Sequence, residues 1–330
     1  MAPLFQTLHV DRDHAARLVK DAWGLELGEL LKAAQNHTYA AVDPATNFKY
    51  AVRITPDPAG TEHGRIADEV DFVTYLAKSG VQGVCSFVAS KRDNGAFAVR
   101  DGDCTVCVSE WAAGQPVDVF AYAWLSDDAF ARAWGAWFAR LHAVSRAYAL
   151  KFPDVVKRMR RWDEVLDGIL SGTPVHPDDA AAMTDPLKYG ILHGDLNISN
   201  FHVHYPSASD AAPLLSVFDW DQVQVGWFEA DLAQACVLLL MLSEAGSVIV
   251  GERVPQADPD AFLAWMVDGY ESVAGVGAID RARLGRVLQV RKNLYSRFCR
   301  RAQEEGVPEG MRAFIDYVVK WVTEYPPMLS

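Results

Sequence analysis

Two short stretches concentrate the side chains able to do chemistry. Residues 191–200 read ILHGDLNISN and residues 216–221 read SVFDWD, with a β-hairpin expected between them. Taken singly, Asp195, Asn200, Asp219 and Asp221 are ordinary loop residues, because Asp and Asn side chains cap local backbone. Their clustering says more: two acidic sites and an Asn bracket one hairpin, each beside apolar chain such as Ile191-Leu192 and residues 214–218. Carboxylates held at strand ends in such surroundings need a cation or a proton to offset their desolvation. Metal binding and proton transfer are the chemistries this patch offers.

The flanking elements must hold that patch in place. Residues 10–23 have helical spacing, and 38–42 with 48–54 form a hairpin around Asp43-Pro44. In its second strand Phe48, Tyr50, Val52 and Ile54 alternate with Lys49, Ala51 and Arg53, a period of two that puts Arg53 on the opposite face from the apolar set. Pro56 and Pro58 end the strand; Ile66, Val70, Val73 and Leu76 then recur at helical spacing up to Gly80, a fitting C-terminal cap. Further strands are expected near 84–90, 97–100 and 105–111. After Gly114 the pattern turns helical. Phe130, Trp134, Trp137, Phe138, Leu141 and Val144 make one apolar face, with Ser126 as the expected N-cap. Helical patterns return at 154–170, 231–244, 258–273, 280–304 and 309–324. The expected class is α+β: a small β-rich lobe over 1–110, a connector near 109–115, and a larger helical lobe over 111–330 carrying the polar patch.

Composition bounds the function. The chain has 330 residues, half of them apolar and 22% charged, which describes a globular protein of roughly two domains rather than a disordered one. Its 31 basic and 43 acidic residues leave a net charge of −12, which repels phosphate backbones and anionic lipid, so neither nucleic acid nor membrane is an expected partner. The apolar run at 232–242 is broken by Gln234 and is far shorter than the roughly 20 residues of a membrane span. The first residues lack the basic stretch and long apolar core of a signal peptide. Cys104 and Cys107 sit three apart in an expected strand, so they face opposite sides and cannot share a metal; with an odd number of cysteines, a reducing cytoplasm is the expected compartment.

HGDLNISN matches the kinase catalytic-loop pattern His-x-Asp-Leu-x-x-x-Asn, with Gly194 where protein kinases carry Arg. Followed by FDWD and GWFEADLA, it resembles the aminoglycoside phosphotransferase family, which includes choline kinases and homoserine-kinase-like enzymes. The resemblance extends over most of the chain. Residues 36–39 resemble the family's short phosphate-covering loop, 109–114 its hinge, and 137–142 its helix ending in Leu-His. It implies a bilobed protein-kinase-like fold and an ATP-dependent O-phosphotransferase using Mg²⁺. By this likeness Asp195 accepts the proton of the substrate hydroxyl, Asn200 and Asp219 hold the metal, and Asp231 anchors the catalytic-loop backbone. His193 packs the loop, and Asp221 is a second metal contact or faces the substrate. Asn36, His37, Thr38, Arg53, Glu69 and Glu110 are expected at the nucleotide, with Arg53 in the usual place of a strand lysine and Glu69 placed to pair with it.

Several features depart from the protein-kinase pattern. Arg53 keeps the charge of the lysine but not its geometry. No GxGxxG loop is present, no Ala-Pro-Glu segment follows FDWD, and Trp220-Asp221 stand in place of Phe-Gly. A small-molecule acceptor is therefore expected rather than a protein. Trp220, Trp227, Trp265 and Tyr295 are candidates to line its cleft, which would suit a cationic amine. The basic run Arg291, Lys292, Arg297, Arg300 and Arg301 would instead suit a carboxylate. An amino alcohol, an aminoglycoside-like antibiotic and a hydroxy amino acid all stay open, as does the oligomeric state. Two rival readings are a nucleotide-binding pseudokinase and a metal-dependent hydrolase using His193, Asp195, His202 and His204. The hydrolase leaves Asn200, Asp219, Arg53 and Glu69 without roles, and the pseudokinase does not explain why all three catalytic-loop groups are present.

Overall fold

The computed structural model describes residues 10–33, 36–118, 123–162, 176–206, 212–237, 258–306, 312, 315 and 316. The chain divides after Ala112 into two compact units. The helical patterns expected at 163–170, 238–244 and across most of 309–324 lie outside the described residues.

The first unit opens with α1 (Arg12–Trp23), started by the Asp11 carboxylate, which accepts from the Asp13 and His14 N–H groups, and closed by Gly24 in the left-handed region. The strands β1 (Glu26–Ala33), β2 (His37–Val42), β3 (Lys49–Pro56), β4 (Ala98–Asp101) and β5 (Cys104–Glu110) form an antiparallel sheet in the order β1-β2-β3-β5-β4. Helix α2 (Glu62–Lys78) lies between β3 and β4 in sequence. The pleat gives the sheet two different faces. Tyr39, Val52, Ile54, Val106 and Val108 pack with Ala15, Leu18, Val19 and Trp23 of α1, while Cys107 and Ala98 pack with Ile66 and Val70 of α2. Cys104 joins the α1 side and Cys107 the α2 side, so the two thiols do lie on opposite faces.

Two features of this sheet depart from the expected pattern. Strand β1 is made of helix-favouring residues (ELGELLKA) with no period of two, and edge pairing to β2, with two register shifts, holds it extended. The strand expected at 84–90 shrinks to a short pairing, because β4 already occupies the edge of β5 over residues 104–107. Phe87 bridges Ser109, the Val88 N–H donates to the Val108 carbonyl, and the Glu110 N–H donates to the Ser86 carbonyl.

The second unit is built on α3 (Asp128–Lys151), which buries Phe130, Trp134, Trp137, Phe138 and Leu141 as the periodicity predicts. Its N-cap is Asp127 rather than Ser126: Ser126 is consumed in a 3₁₀ turn, and the Asp127 carboxylate accepts from Phe130 N–H at 2.9 Å. The helix does not end at His142 but continues two turns further. Helices α4 (Pro153–Arg158) and α5 (Pro177–Ala182) follow. A three-stranded sheet of β6 (Gln115–Pro116), β8 (Phe201–His204) and β9 (Leu214–Val217) stands beside a two-stranded one of β7 (Tyr189–Leu192) and β10 (Gln224–Trp227). A helix over residues 229–237, α6, precedes α7 (Pro259–Ala274) and α8 (Arg281–Glu305). Where α3 crosses α7, Gly135 faces the Met266 carbonyl and Gly269 faces that of Arg132, so close that a Cβ at either would collide with backbone. Among the described residues no helix is long and apolar enough to cross a membrane.

Candidate active site

Both sequence stretches emerge from strand ends of the second unit. Residues 193–200 connect β7 to β8, and 218–223 connect β9 to β10. The Phe218 N–H donates to the Asn200 carbonyl at 3.0 Å, which ties the two loops together.

Asp231, at the start of α6 and fully buried, organises the first loop. Its carboxylate accepts from the backbone N–H groups of His193 at 3.0 Å and Gly194 at 2.8 Å, and it meets His142 Nε2 at 3.1 Å. Burial raises the Asp231 carboxyl, but the hydrogen bond and charge of His142, with His193 and the Gly194 N–H, outweigh it and hold the group below its ordinary value. Burial likewise pushes the His142 imidazole down, against the pull of Asp231. His142 is stacked on Phe228 at 4.2 Å and meets the Tyr270 hydroxyl at 3.0 Å, so this α3 residue supports the loop from behind. Gly194 has a φ of 83°, and a Cβ there would collide with the Gln222 carbonyl, so an arginine at this loop position has no room. His193 packs the loop: it is fully buried, its ring is 4.4 Å from Trp220, and its two nitrogens face the Phe218 carbonyl and the Asp195 N–H. That leaves neither nitrogen for a hydrolytic metal. Of the other two histidines in that reading, His202 sits edge-on to Phe218 and His204 is exposed.

Asp195 is partly exposed, and its carboxylate is oriented from both sides. Gln234 Nε2 donates to Oδ1 at 2.5 Å, and Asn200 Nδ2 donates to the Asp195 carbonyl at 2.7 Å and reaches Oδ2 at 3.3 Å. Asn200 Oδ1 in turn accepts from the Ser199 hydroxyl at 3.4 Å. Asp219 stands in the left-handed region at a φ of 63°, a conformation rare outside glycine and mildly tolerated by Asp. Asp221 lies in the same loop, and its carbonyl accepts from Arg160 Nη2 at 2.6 Å.

The two tryptophans expected at the substrate are core residues, which corrects that expectation. Trp220 is 2% exposed and packs on Trp137; Trp227 is 3% exposed, packs on Trp162 and Tyr189, and donates its Nε1–H to the Asp179 carbonyl. A lone tryptophan beside an acidic motif reads the same in sequence whether it lines a site or fills a core. Gln234, which the sequence shows only as a break in an apolar run, reaches Asp195, and Tyr295 and Arg291 of α8, both expected as candidates for the acceptor cleft, lie beside it. The available signal was spacing: Gln234 lies three residues after Asp231, on the same side of a helix.

In the first unit Arg53 and Glu69 meet at 2.7 Å, both almost wholly buried. Arg53 lies across from Thr38 on one side and Cys107 on the other, the sheet face that α2 covers. Asn36 Oδ1 accepts from the Thr55 hydroxyl at 2.9 Å, and His37 is buried with its ring stacked on Tyr39. Glu110 is exposed and tied to Ser86 through backbone and side chain. Lys49 lies over the Trp111 ring, away from Arg53.

The model of the phosphotransferase enzyme family matches residues 26–276, and the chain belongs to that family. It is a small-molecule kinase, a phosphotransferase that acts on hydroxyl groups. Among solved structures it is similar to a microcompartment-associated aminopropanol kinase, at 19% identity, a TM-score of 0.63 and coverage of 94% of this chain and 95% of that one. A spectinomycin phosphotransferase in complex with ADP and spectinomycin matches at 12% identity and a TM-score of 0.61, covering 96% and 99%. An ethanolamine kinase of Plasmodium vivax matches at 11% identity and a TM-score of 0.52, covering 94% and 84%. These likenesses assign the protein-kinase-like fold expected from the sequence. No curated protein sequence matches the chain significantly.

Proposed function

We propose that the protein transfers the γ-phosphoryl group of ATP to a hydroxyl of a small metabolite or antibiotic, with Asp195 as the base. The observation that carries this reading is the held carboxylate of Asp195, oriented by Gln234 and Asn200 in a loop whose backbone Asp231 anchors. Phosphoryl transfer passes through a loose transition state, so positioning and charge stabilisation are what a protein must supply. Asp195 takes the proton of the acceptor hydroxyl as its oxygen bonds to the γ-phosphorus; the bond from that phosphorus to the β-phosphate oxygen breaks, and ADP leaves.

The donor set suits a small hard cation that keeps most of its water: one amide oxygen on Asn200 and one carboxylate on Asp219, in loops joined by a backbone hydrogen bond. Bound there, Mg²⁺ would neutralise phosphate charge as it shifts in the transition state. Arg53, held by Glu69, contacts the phosphates, while Asn36, His37 and Thr38 cover them and Glu110 lies at the hinge. Asp221 faces the acceptor or adds a metal contact. The ADP complex of the spectinomycin enzyme supports a nucleotide donor, and the aminopropanol and ethanolamine kinases support a small acceptor. The test is ADP release with Mg-ATP and a panel of hydroxylated amines and acids. Asp195→Ala and Asp195→Asn are expected to lose about 10²–10⁴-fold in turnover while still binding nucleotide. Activity retained in both variants removes Asp195 from the role of base.

A further inference from the structure

Beside Asp195 the second unit holds polar groups whose hydrogen-bonding capacity is only partly used. Gln234 is 4% exposed and spends its amide N–H groups on Asp195 and on the Tyr295 hydroxyl, at 2.5 and 3.5 Å, yet its Oε1 is buried with no partner. Arg291 reaches the Gly194 carbonyl with Nη2 at 3.4 Å and lies over the Trp162 ring, while its Nε is buried with no partner. Earlier in the same helix Arg283 and Arg286 are paired with Glu229 at 3.1 Å and Asp179 at 2.6 Å. Among the described residues Arg291 has no carboxylate within ion-pair distance. A shielded guanidinium without a counter-ion, one residue from the catalytic Asp, is a costly arrangement unless an anion completes it.

From this we infer that Arg291, Gln234 and Tyr295 form an acceptor subsite for a carboxylate, and that the phosphate acceptor is a small hydroxy acid, hydroxy amino acids included. The Nε–Nη2 edge of Arg291 is the edge that grips a carboxylate in a bidentate fashion. Gln234 Oε1 accepts from a neighbouring ammonium or hydroxyl, and the reacting hydroxyl meets Asp195. A purely cationic amino alcohol offers Arg291 no acceptor and sets a like charge beside it. Burial pushes the Arg291 guanidinium below its ordinary range, with only Tyr295, Asp195 and Asp231 drawing the other way, in keeping with a site short of negative charge. The inference rests on Asp195 being the base of the proposed reaction.

The experiment pairs each acid with its counterpart lacking the carboxylate: L-homoserine with 3-amino-1-propanol, and D-glycerate with ethylene glycol. Binding is measured by calorimetry without nucleotide, and transfer by ADP release with Mg-ATP. Wild type is expected to prefer at least one acid over its counterpart by about tenfold or more in binding and in kcat/KM. Arg291→Met should lower that acid's kcat/KM by about 30-fold or more and the counterpart's by less than about threefold, with Arg291→Lys recovering part of the preference. A merely structural role for Arg291 would depress both members of a pair alike, so the ratio discriminates even if Arg291→Met is less stable; Arg291→Lys keeps the charge and the aliphatic stem. Preference for the amine, no binding of either acid, or equal losses in Arg291→Met would overturn the subsite. Arg291-dependent acid binding with no phosphoryl transfer would leave the subsite standing and remove the kinase reaction. Asp195-dependent transfer to 3-amino-1-propanol, indifferent to Arg291, would do the reverse.

Discussion

Two buried side-chain couples, one in each unit, hold polar groups in place. The buried Arg53–Glu69 pair is one: Glu69 makes an interior guanidinium tolerable and fixes where it points. Glu69→Gln keeps the volume and removes the charge. It is expected to cost about 3 kcal/mol of stability, because a buried charge loses its partner, and to raise the KM for ATP about tenfold. Urea unfolding and steady-state kinetics would measure the two effects, and unchanged values of both would break the coupling. His142 and Asp231 are another couple, with a pH signature. Burial lowers the His142 pKa and Arg146 pushes the same way, against the pull of Asp231, so the folded ring takes up its proton at lower pH than an unfolded histidine, which protonates below about pH 6.5. In that window the unfolded state binds more protons, and stability must fall as pH falls. The contribution of Asp231 is present above its unfolded pKa of about 3.9 and is lost only as pH drops through its depressed folded value. His142→Gln should flatten the decline in unfolding free energy between pH 7 and pH 5, whatever its effect on absolute stability. A slope equal to wild type would exclude His142 as the titrating group.

At the scale of elements, the site depends on how helices are started and how closely they pack. Helix α2 carries Glu69, but its first residue is preceded by Thr61, whose side chain makes no capping bond. Asp57, just after β3, takes over the task by accepting from the Glu62 and His63 N–H groups at 3.1 and 3.0 Å. Asp57→Ala should therefore cost about 1–2 kcal/mol, as N-cap losses do, and show up as a lowered melting temperature. Melting unchanged from wild type would mean that α2 is held by its packing alone. Much at this scale was legible in the sequence. The period of two over 48–54 placed Arg53 opposite Val52 and Ile54, and the 3.6-residue period in α3 marked its buried face. What was not legible depended on competition for partners. Residues 84–90 have strand character, but β4 holds most of the β5 edge; β1 has helix character, but the edge of β2 recruits it.

For the whole molecule, each of the two units has its own core, and the nucleotide reading calls on residues from both. Ligand linkage tests that reading without knowing the acceptor. ATP with Mg²⁺ at roughly 100 times Kd would add about 2.7 kcal/mol to the stability of the binding-competent state, which should raise the melting midpoint by several degrees. The rise should shrink when a chelator removes the metal, since in the proposed reaction Asn200 and Asp219 would reach the phosphates only through it. A flat response at saturating ATP would count decisively against nucleotide binding. The net charge of −12 belongs to this scale too: it works against anions in bulk, so the proposed binding of small anions rests on local groups such as Arg53 and Arg291.

By itself the sequence determined the two polar loops, the faces of the strands in the first unit and the family. These are local properties, written in residue order and in periods of 2 and 3.6. Only the tertiary structure decided which polar groups meet at Asp195 and which aromatics are core. Gln234 lies 39 residues from Asp195 in the chain, and Arg291 lies 97 from Gly194. Their approach depends on how α6 and α8 pack against the catalytic loop, and no local period encodes that packing. For the same reason Trp220 and Trp227, adjacent to the motif in sequence, turned inward to Trp137, Trp162 and Tyr189, where burying a large indole contributes more than exposing it at a site.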